Sequence, residues 1–338
     1  MLFVSIVCPI YNEEKFISNC LDSIVQQDFP KEQIEVFLID GMSTDRTRII
    51  IRKYAEQYPY IYLLDNPQKI VPPALNIGIK AAKGDVIIRL DGHCIYPSNY
   101  VSLLTQKLFE LKADNVGAVW NTLPAKDTSI CRAIAIGASH KFGIGNSMHK
   151  LGTKSIIETD TVPFGCFRRD IFDRIGFFDE DLIRTEDDEF NARIIKNGGK
   201  IFLIPDLVIK YYARDRVTKM MKMFYQYGLF KPLVYKKIGY PATIRQFFPM
   251  LFLVGLLLGG ILSCFSNIVY IFYLLVILFY MLISICFSIR EFLKWKDWKL
   301  TLILPYIFFT IHISYGWGYL KGIYHLLMRN KIVVNVNR

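Results

Sequence analysis

Short apolar runs rich in branched residues alternate with amphipathic stretches over the first 90 residues. "FVSIVCPIY" (3–11) is near-continuously apolar and reads as a buried first strand, while "EEKFISNCLDSIVQQ" (13–27) sets Phe16, Ile17, Cys20, Leu21 and Ile24 at helical spacing. "IEVFLID" is a second strand that ends on Asp40. "TDRTRIIIRKYAEQY" predicts a helix capped by Thr44 or Asp45, and "YIYLLDN" a third strand. Pro72 and Pro73 open a helix over "PALNIGIKAAK", Gly84 closes it, and "DVIIRL" is a fourth strand. Repeated βα units of this kind predict an α/β fold with a mostly parallel central sheet covered by helices.

The pattern changes near residue 246. From 247 to 289 there is no Asp, Glu, Lys or Arg. Phe247–Phe265 and Ile268–Ile289, parted by Ser266 and Asn267, would extend roughly 28 and 33 Å as helices, enough to cross a hydrocarbon core of about 30 Å. A third apolar stretch, Leu300–Leu320, follows the charged linker "REFLKWKDWK" and is interrupted by Pro305, His312, Gly316 and Gly318. The expected organisation is an α/β domain at 1–215, a basic segment at 216–245, a membrane region at 246–325 and a tail at 326–338. An amino-terminal signal peptide is not expected, since "MLFVSIVCPIYNEE" lacks a basic start and a small-residue cleavage site.

Composition sharpens this picture. The 338 residues are 52% hydrophobic with a net charge of +11, and much of that charge lies just before the first membrane run. Lys219, Lys222, Lys231, Lys236 and Lys237 are interleaved there with Met223, Phe224, Tyr225 and Phe230. Basic and aromatic residues beside a membrane segment predict an interfacial helix on anionic lipid rather than a nucleic-acid partner. The same positive residues predict that 1–245 and the 290–299 linker lie in the cytoplasm, so the protein is expected to be multi-pass in the cell membrane with its α/β domain cytoplasmic. A third full crossing would carry Arg329, Lys331 and Arg338 outside, against that trend. The seven cysteines form no CxxC pair and read as reduced thiols.

Ligands of such sheets sit beyond the carboxyl ends of the strands. Asn12 and Glu13, Asp40, Asp65 and Asn66, then Asp91 and His93 follow the four strands in turn. One such residue is ordinarily a turn or a cap; four successive ends point to a site. In Asp91–Gly92–His93 a carboxylate and an imidazole two residues apart suit a hard divalent cation with mixed oxygen and nitrogen ligation.

These segments, with "LIDGMSTDRT", "ALNIGIKAAKGDVIIRLDGH", "FGCFRRDIFDRIGFFDE" and "TEDDEFNARIIKNG", resemble in order and spacing the inverting family 2 glycosyltransferases of GT-A fold, over about residues 3–215. The tail is most similar to that of bacterial succinoglycan-type exopolysaccharide enzymes. The resemblance implies a nucleotide-sugar donor, a divalent ion (Mn²⁺ or Mg²⁺) and a lipid-linked glycan acceptor. It makes Asp40 the carboxylate that reads the base, Asp91 the start of the family's Asp-x-Asp metal motif with His93 in its third position, and Asp187 the base that deprotonates the acceptor. It also places Pro9, Tyr11, Glu13 and Asn76 on the donor side and Phe164, Gly165 and Glu186 on the acceptor side. Arg168 and Arg169 either hold phosphate or pair with Asp170 and Asp173. Asp188 and Glu189 read as first-turn acids favoured by the helix dipole. The implied activity is transfer of a single sugar in cell-surface polysaccharide synthesis. A processive synthase is the alternative, but "QYGLFK" (226–231) lacks the Gln-x-x-Arg-Trp pattern of such enzymes; a non-catalytic scaffold of the same fold is the other.

Overall fold

The computed structural model describes residues 2–240, 244–329 and 332. In chain order the strands are β1 (Val4–Ile10), β2 (Ile34–Asp40), β3 (Ile61–Asp65), β4 (Val86–Arg89), β5 (Cys94–Ile95), β6 (Asn115–Leu123), β7 (Ile157–Glu158), β8 (Cys166–Arg168) and β9 (Ile201–Tyr212). The helices of the first part are α1 (Ile17–Val25), α2 (Thr47–Gln57), α3 (Val71–Ala81) and α4 (Tyr100–Glu110). Then come α5 (Ser129–Gly137), α6 (Lys141–Ile144), α7 (Met148–Leu151), α8 (Asp170–Ile175), α9 (Glu186–Lys196) and α10 (Val217–Ile238). Three long apolar helices finish the chain: α11 (Phe248–Leu262), α12 (Asn267–Trp295) and α13 (Leu300–Leu327).

Two compact units result, one built from described residues up to Asn121 with Met148–Tyr211, the other from Thr122–Ser147 and the described residues from Tyr212 to 332. The sequence pattern does not single out Thr122–Ser147 as part of the helical unit.

In the first unit one sheet runs in the order β3-β2-β1-β4-β8-β6-β9-β5, with β7 on β9. β3, β2, β1 and β4 are parallel, as the βα alternation predicts. β8 then pairs antiparallel with both β4 and β6, and β5 and β7 pair antiparallel with β9. Alternating side chains of β1, β2 and β4 feed two cores on opposite faces. Val4, Ile6, Val36, Leu38, Val86 and Ile88 pack with α1, α2 and α4, whereas Val7, Phe37, Ile39 and Ile87 pack with α3, α8 and α9. Gly78 on α3 is required at this contact, because a Cβ there would lie 2.5 Å from Val7. The layering leaves the carboxyl ends of β1 to β4 together at one edge.

In the second unit Ile244–Leu262, which runs through α11, and the helices α12 and α13 are each long and apolar enough to cross a membrane. α12 outruns its charge-free stretch and takes in most of the expected linker, as far as Trp295. The features that interrupt the third stretch in sequence do not break α13; they are where it packs. A Cβ on Gly228 of α10 would lie 2.0 Å from the Tyr315 carbonyl, one on Gly318 2.0 Å from that of Tyr225, and one on Gly322 2.4 Å from that of Leu229. The backbones of α10 and α13 touch, as small residues permit between membrane helices. His312 Nε2 donates to the Phe142 carbonyl of α6 at 2.8 Å, and its Nδ1 bonds Tyr280 Oη of α12 at 2.9 Å. Half of the apolar window of α13 is buried, against 11% for the helix through α11 and 6% for α12. α10 is therefore a packed partner of α13 as well as the basic segment that composition predicts. Most of the expected tail, 326–338, lies outside the described residues.

Candidate active site

The ends of β1 and β2 are laced together. Gly41 N donates to the Ile10 carbonyl at 2.7 Å. Asn12, in the left-handed region at φ 53°, donates its backbone N–H to Ser43 Oγ and accepts from Thr44 N, both at 2.8 Å. Asp40 is completely buried. Its carboxylate accepts from Ser43 N at 2.9 Å and Ser43 Oγ at 2.5 Å, and pairs with Arg48 at 2.7 Å. Arg48 reaches Asp65 at 2.7 Å as well, so one guanidinium joins the ends of β2 and β3. The carboxylate assigned to the base is thus already charge-paired, and it organises the 41–48 turn directly. Pro9 and Tyr11 are partly exposed at this edge, Tyr11 against Gly41. The Asn76 amide bonds Phe178 O and Glu180 Oε1, both at 2.9 Å, and accepts from Phe178 N at 3.0 Å. Its two donors are occupied in holding that loop.

Beyond β4, Asp91 and His93 turn back toward β1. Gly92 between them is pressed on Ile10, where a Cβ would come within 2.6 Å. His93 Nδ1 contacts Asp91 Oδ1 and lies 3.6 Å from Glu13 Oε1, and Glu13 is anchored by its backbone N–H to Thr47 Oγ1 at 2.7 Å. Glu13, Asp91 and His93 offer ligand atoms within 4.8 Å of one another. Burial would raise the Asp91 carboxyl, but contact with His93 and the charge of Arg89 hold it below the usual range. Two carboxylates and one imidazole converging in a partly buried corner fit a divalent ion of the Mg²⁺ or Mn²⁺ class. Glu13, expected on the donor side, is thereby a third candidate ligand.

Asp187 meets a partner that the motifs do not name. Arg89, the last residue of β4 and buried, bonds Glu186 Oε1 at 2.8 Å and pairs with Asp187 Oδ1. Burial opposes its charge, yet the two carboxylates more than offset this and raise its pKa. The Asp187 carboxyl is pushed up to about 7, chiefly by burial and further by Glu186 and Asp188, with Arg89 pulling the other way. Thr185, the residue before α9, makes no side-chain cap bond.

Phe164, at φ 54°, lies 5.7 Å from the Arg89 guanidinium and stacks on Trp120 at 4.8 Å. Trp120 also stacks on Tyr211 at 4.5 Å, and Tyr211 adjoins the His93 ring at 4.9 Å. An aromatic chain therefore connects the Arg89–Asp187 pair to the Glu13–Asp91–His93 cluster. Gly165 serves close packing inside the sheet: a Cβ there would fall 2.2 Å from Asn115 Oδ1, and its carbonyl accepts from Arg89 N at 2.9 Å. Arg168 pairs with Asp170 at 3.4 Å and Arg169 donates to the Ala82 carbonyl at 2.5 Å, so both have structural partners. Glu189 pairs with Arg193 at 2.6 Å. Sequence reasoning missed Arg89, Trp120 and Tyr211. Only Arg89 left a local signal, as the one charge in "VIIRL" and two residues from Asp91.

The profile of glycosyl transferase family 2 matches residues 5–176. A Methanococcus voltae protein, dolichyl N-acetyl-alpha-D-glucosaminyl phosphate 3-beta-D-2,3-diacetamido-2,3-dideoxy-beta-D-glucuronosyltransferase, is 32% identical over 96% of this chain and 98% of its own. Succinoglycan biosynthesis protein ExoA of Rhizobium meliloti (strain 1021) is 28% identical over 72% of this chain and 74% of its own. Among solved structures, S. aureus TarS 1–349 covers 93% of this chain and 91% of that one, at 16% identity and a TM-score of 0.49. The family match takes in every strand end described above, and the chain belongs to glycosyl transferase family 2, a glycosyltransferase of GT-A fold with apolar helices at its carboxyl end.

Proposed function

We propose that the protein transfers one sugar from a nucleotide-sugar donor to a hydroxyl of a polyprenyl-phosphate-linked glycan, with inversion at the anomeric carbon. The observation that carries this reading is Asp187, a carboxyl near neutrality clamped by Arg89 and joined through Phe164, Trp120 and Tyr211 to the Glu13–Asp91–His93 cluster. The acceptor oxygen attacks the anomeric carbon as its proton passes to Asp187. The bond from that carbon to the donor phosphate breaks, and its electron pair leaves with the nucleoside diphosphate. A divalent ion held by Glu13, Asp91 and His93 would supply positive charge beside that leaving group. Arg89 orients Asp187, and the laced 10–14 and 41–48 turns hold the nucleotide. A lipid-linked acceptor is supported by the M. voltae relative, matched over nearly its full length and named for a dolichyl phosphate-linked acceptor.

Membrane crossing in this proposal rests on the α11–α12 hairpin alone. α10 starts beside α13, with Met220 and Phe224 near Leu300 and Leu304, and stays with it to Gly322. It carries five lysines, each costing about 2.5–3.5 kcal/mol at a bilayer centre. A crossing by α13 would take them along. α13 meets the hairpin at Pro249, Leu253 and Tyr280, while Leu257, Leu258, Ile261, Ile271 and Phe272 farther along are exposed. The hairpin enters lipid, α10 and α13 lie together at the cytoplasmic interface, and the positive carboxyl-terminal tail stays inside.

The test is a panel of nucleotide sugars offered to the full chain in lipid nanodiscs with polyprenyl-phosphate-linked N-acetylglucosamine, read by product mass. One added glycosyl unit is the expected product. Long polymer, or donor binding without transfer from any nucleotide sugar to any lipid-linked glycan, overturns the reading.

A further inference from the structure

Lys150 is a cation that no carboxylate bonds among the described residues, although the charge of Asp188 acts on it. It is partly buried, its Nζ stands 5.5 Å from the centre of the Trp120 ring, and it makes no hydrogen bond or ion pair with any described residue. Arg48, Arg89 and Arg193 by contrast all bond carboxylates. Burial pulls the Lys150 ammonium down to about 8, with Asp188 opposing. At neutral pH it is mostly charged and only partly solvated, and an anion beside it would be favoured over water. A second polar group in contact with it has the same lack. The Trp120 indole N–H is buried with no hydrogen-bond partner, on a ring 9% exposed. Trp120 stacks on Phe164, which adjoins Arg89 and through it the base. An unused cation and an unused donor thus stand one stacked ring from the reaction centre.

We propose that Lys150 and the Trp120 indole form an anion subsite for an oxyanion carried by one of the two sugars being joined, and that this makes the enzyme selective for an acidic substrate. The inference rests on the glycosyl-transfer reading and adds the charge class of the substrate. The donor diphosphate is not the group meant, because the acid cluster is its proposed seat. Two sources carry the same chemistry: the carboxylate of a uronic acid donor, or the phosphate that links the acceptor sugar to lipid.

Lys150→Met and Lys150→Arg in the full chain in nanodiscs separate these. Calorimetry with UDP-glucuronic acid, UDP-glucose and UDP reads binding whether or not turnover occurs. Transfer kinetics compare polyprenyl-phosphate-linked N-acetylglucosamine with neutral octyl N-acetylglucosaminide as acceptors. Loss of a charge-assisted hydrogen bond should weaken the charged member of one pair, relative to its neutral counterpart, by about 10–100-fold for Lys150→Met, with most of it restored in Lys150→Arg. A change confined to the donor pair identifies a uronate, and one confined to the acceptor pair identifies the lipid phosphate. Equal effects on charged and neutral members overturn the proposal, as does weaker binding of UDP itself, which would put Lys150 on the leaving group. Absence of wild-type transfer would count against glycosyl transfer, whereas an unchanged charged-to-neutral ratio in Lys150→Met would count against the subsite alone.

Discussion

Replacing Asp187 by Asn alters one atom and one charge in the pair with Arg89. The side chain keeps its shape and an oxygen to accept from the guanidinium, but it loses the capacity to take the acceptor proton. Positioned general bases contribute about 10²–10⁴-fold, and that is the loss expected in transfer rate. Because the carboxyl sits at about 7, it is about one-tenth ionised at pH 6 and about nine-tenths at pH 8. The wild-type rate should therefore rise roughly tenfold across that interval and level off, and the Asn variant should show no such inflection. Stability carries an independent signature. An ordinary Asp ionises near 3.9, so between about pH 4 and 7 the unfolded chain releases a proton that the folded chain retains, and wild-type stability contributed by this group falls across that window. Asn cannot ionise, so the variant should gain on the wild type in melting temperature between pH 5 and pH 8. A purely structural role at the start of α9 predicts instead a pH-independent loss of about 0.5–2 kcal/mol with normal specific rate. Transfer assays and thermal unfolding across pH on the same protein decide the matter. A variant that transfers sugar at the wild-type rate, or keeps the inflection near pH 7, removes Asp187 as the base.

Asp91→Ala should abolish transfer, and Glu13→Gln should raise the Mn²⁺ concentration needed for half-maximal rate by about tenfold or more; full activity in excess chelator would refute the metal assignment. His93→Asp should retain more activity than His93→Ala, because it restores an oxygen ligand, and equal losses would argue that His93 acts only through the Asp91 contact. Gly318→Leu places atoms on the Tyr225 carbonyl, 2.0 Å from where its Cβ would be, and should lower the melting temperature of the detergent-solubilised chain by several degrees; an unchanged melt would show that α10 and α13 separate freely. A reporter fused after residue 338 should read as cytoplasmic, and an external signal would restore a third crossing.

The parallel half of the sheet was legible because its strands are dense apolar runs broken by Pro72, Pro73 and Gly84, and the strand-end acids followed from that periodicity. The antiparallel half was not, since β8 is three residues long and finds β4 and β6 only through distant pairing. Arg89 was hidden for the same reason: its partners lie 97 and 98 residues away, and nothing local to "VIIRL" announces them. Pro305, Gly316 and Gly318 misled in the opposite direction. Taken singly they weaken a helix, but packed against Pro249 and Tyr225 the two glycines are what lets the helices meet.

The lacing of Asn12 to Ser43 and Thr44, with Gly41 on Ile10, has an engineering consequence. The two turns share their hydrogen bonds, so neither holds its shape without the other, and Arg48 extends the dependence to the end of β3. A graft meant to change nucleotide preference must move residues 10–14 and 41–48 as one cassette.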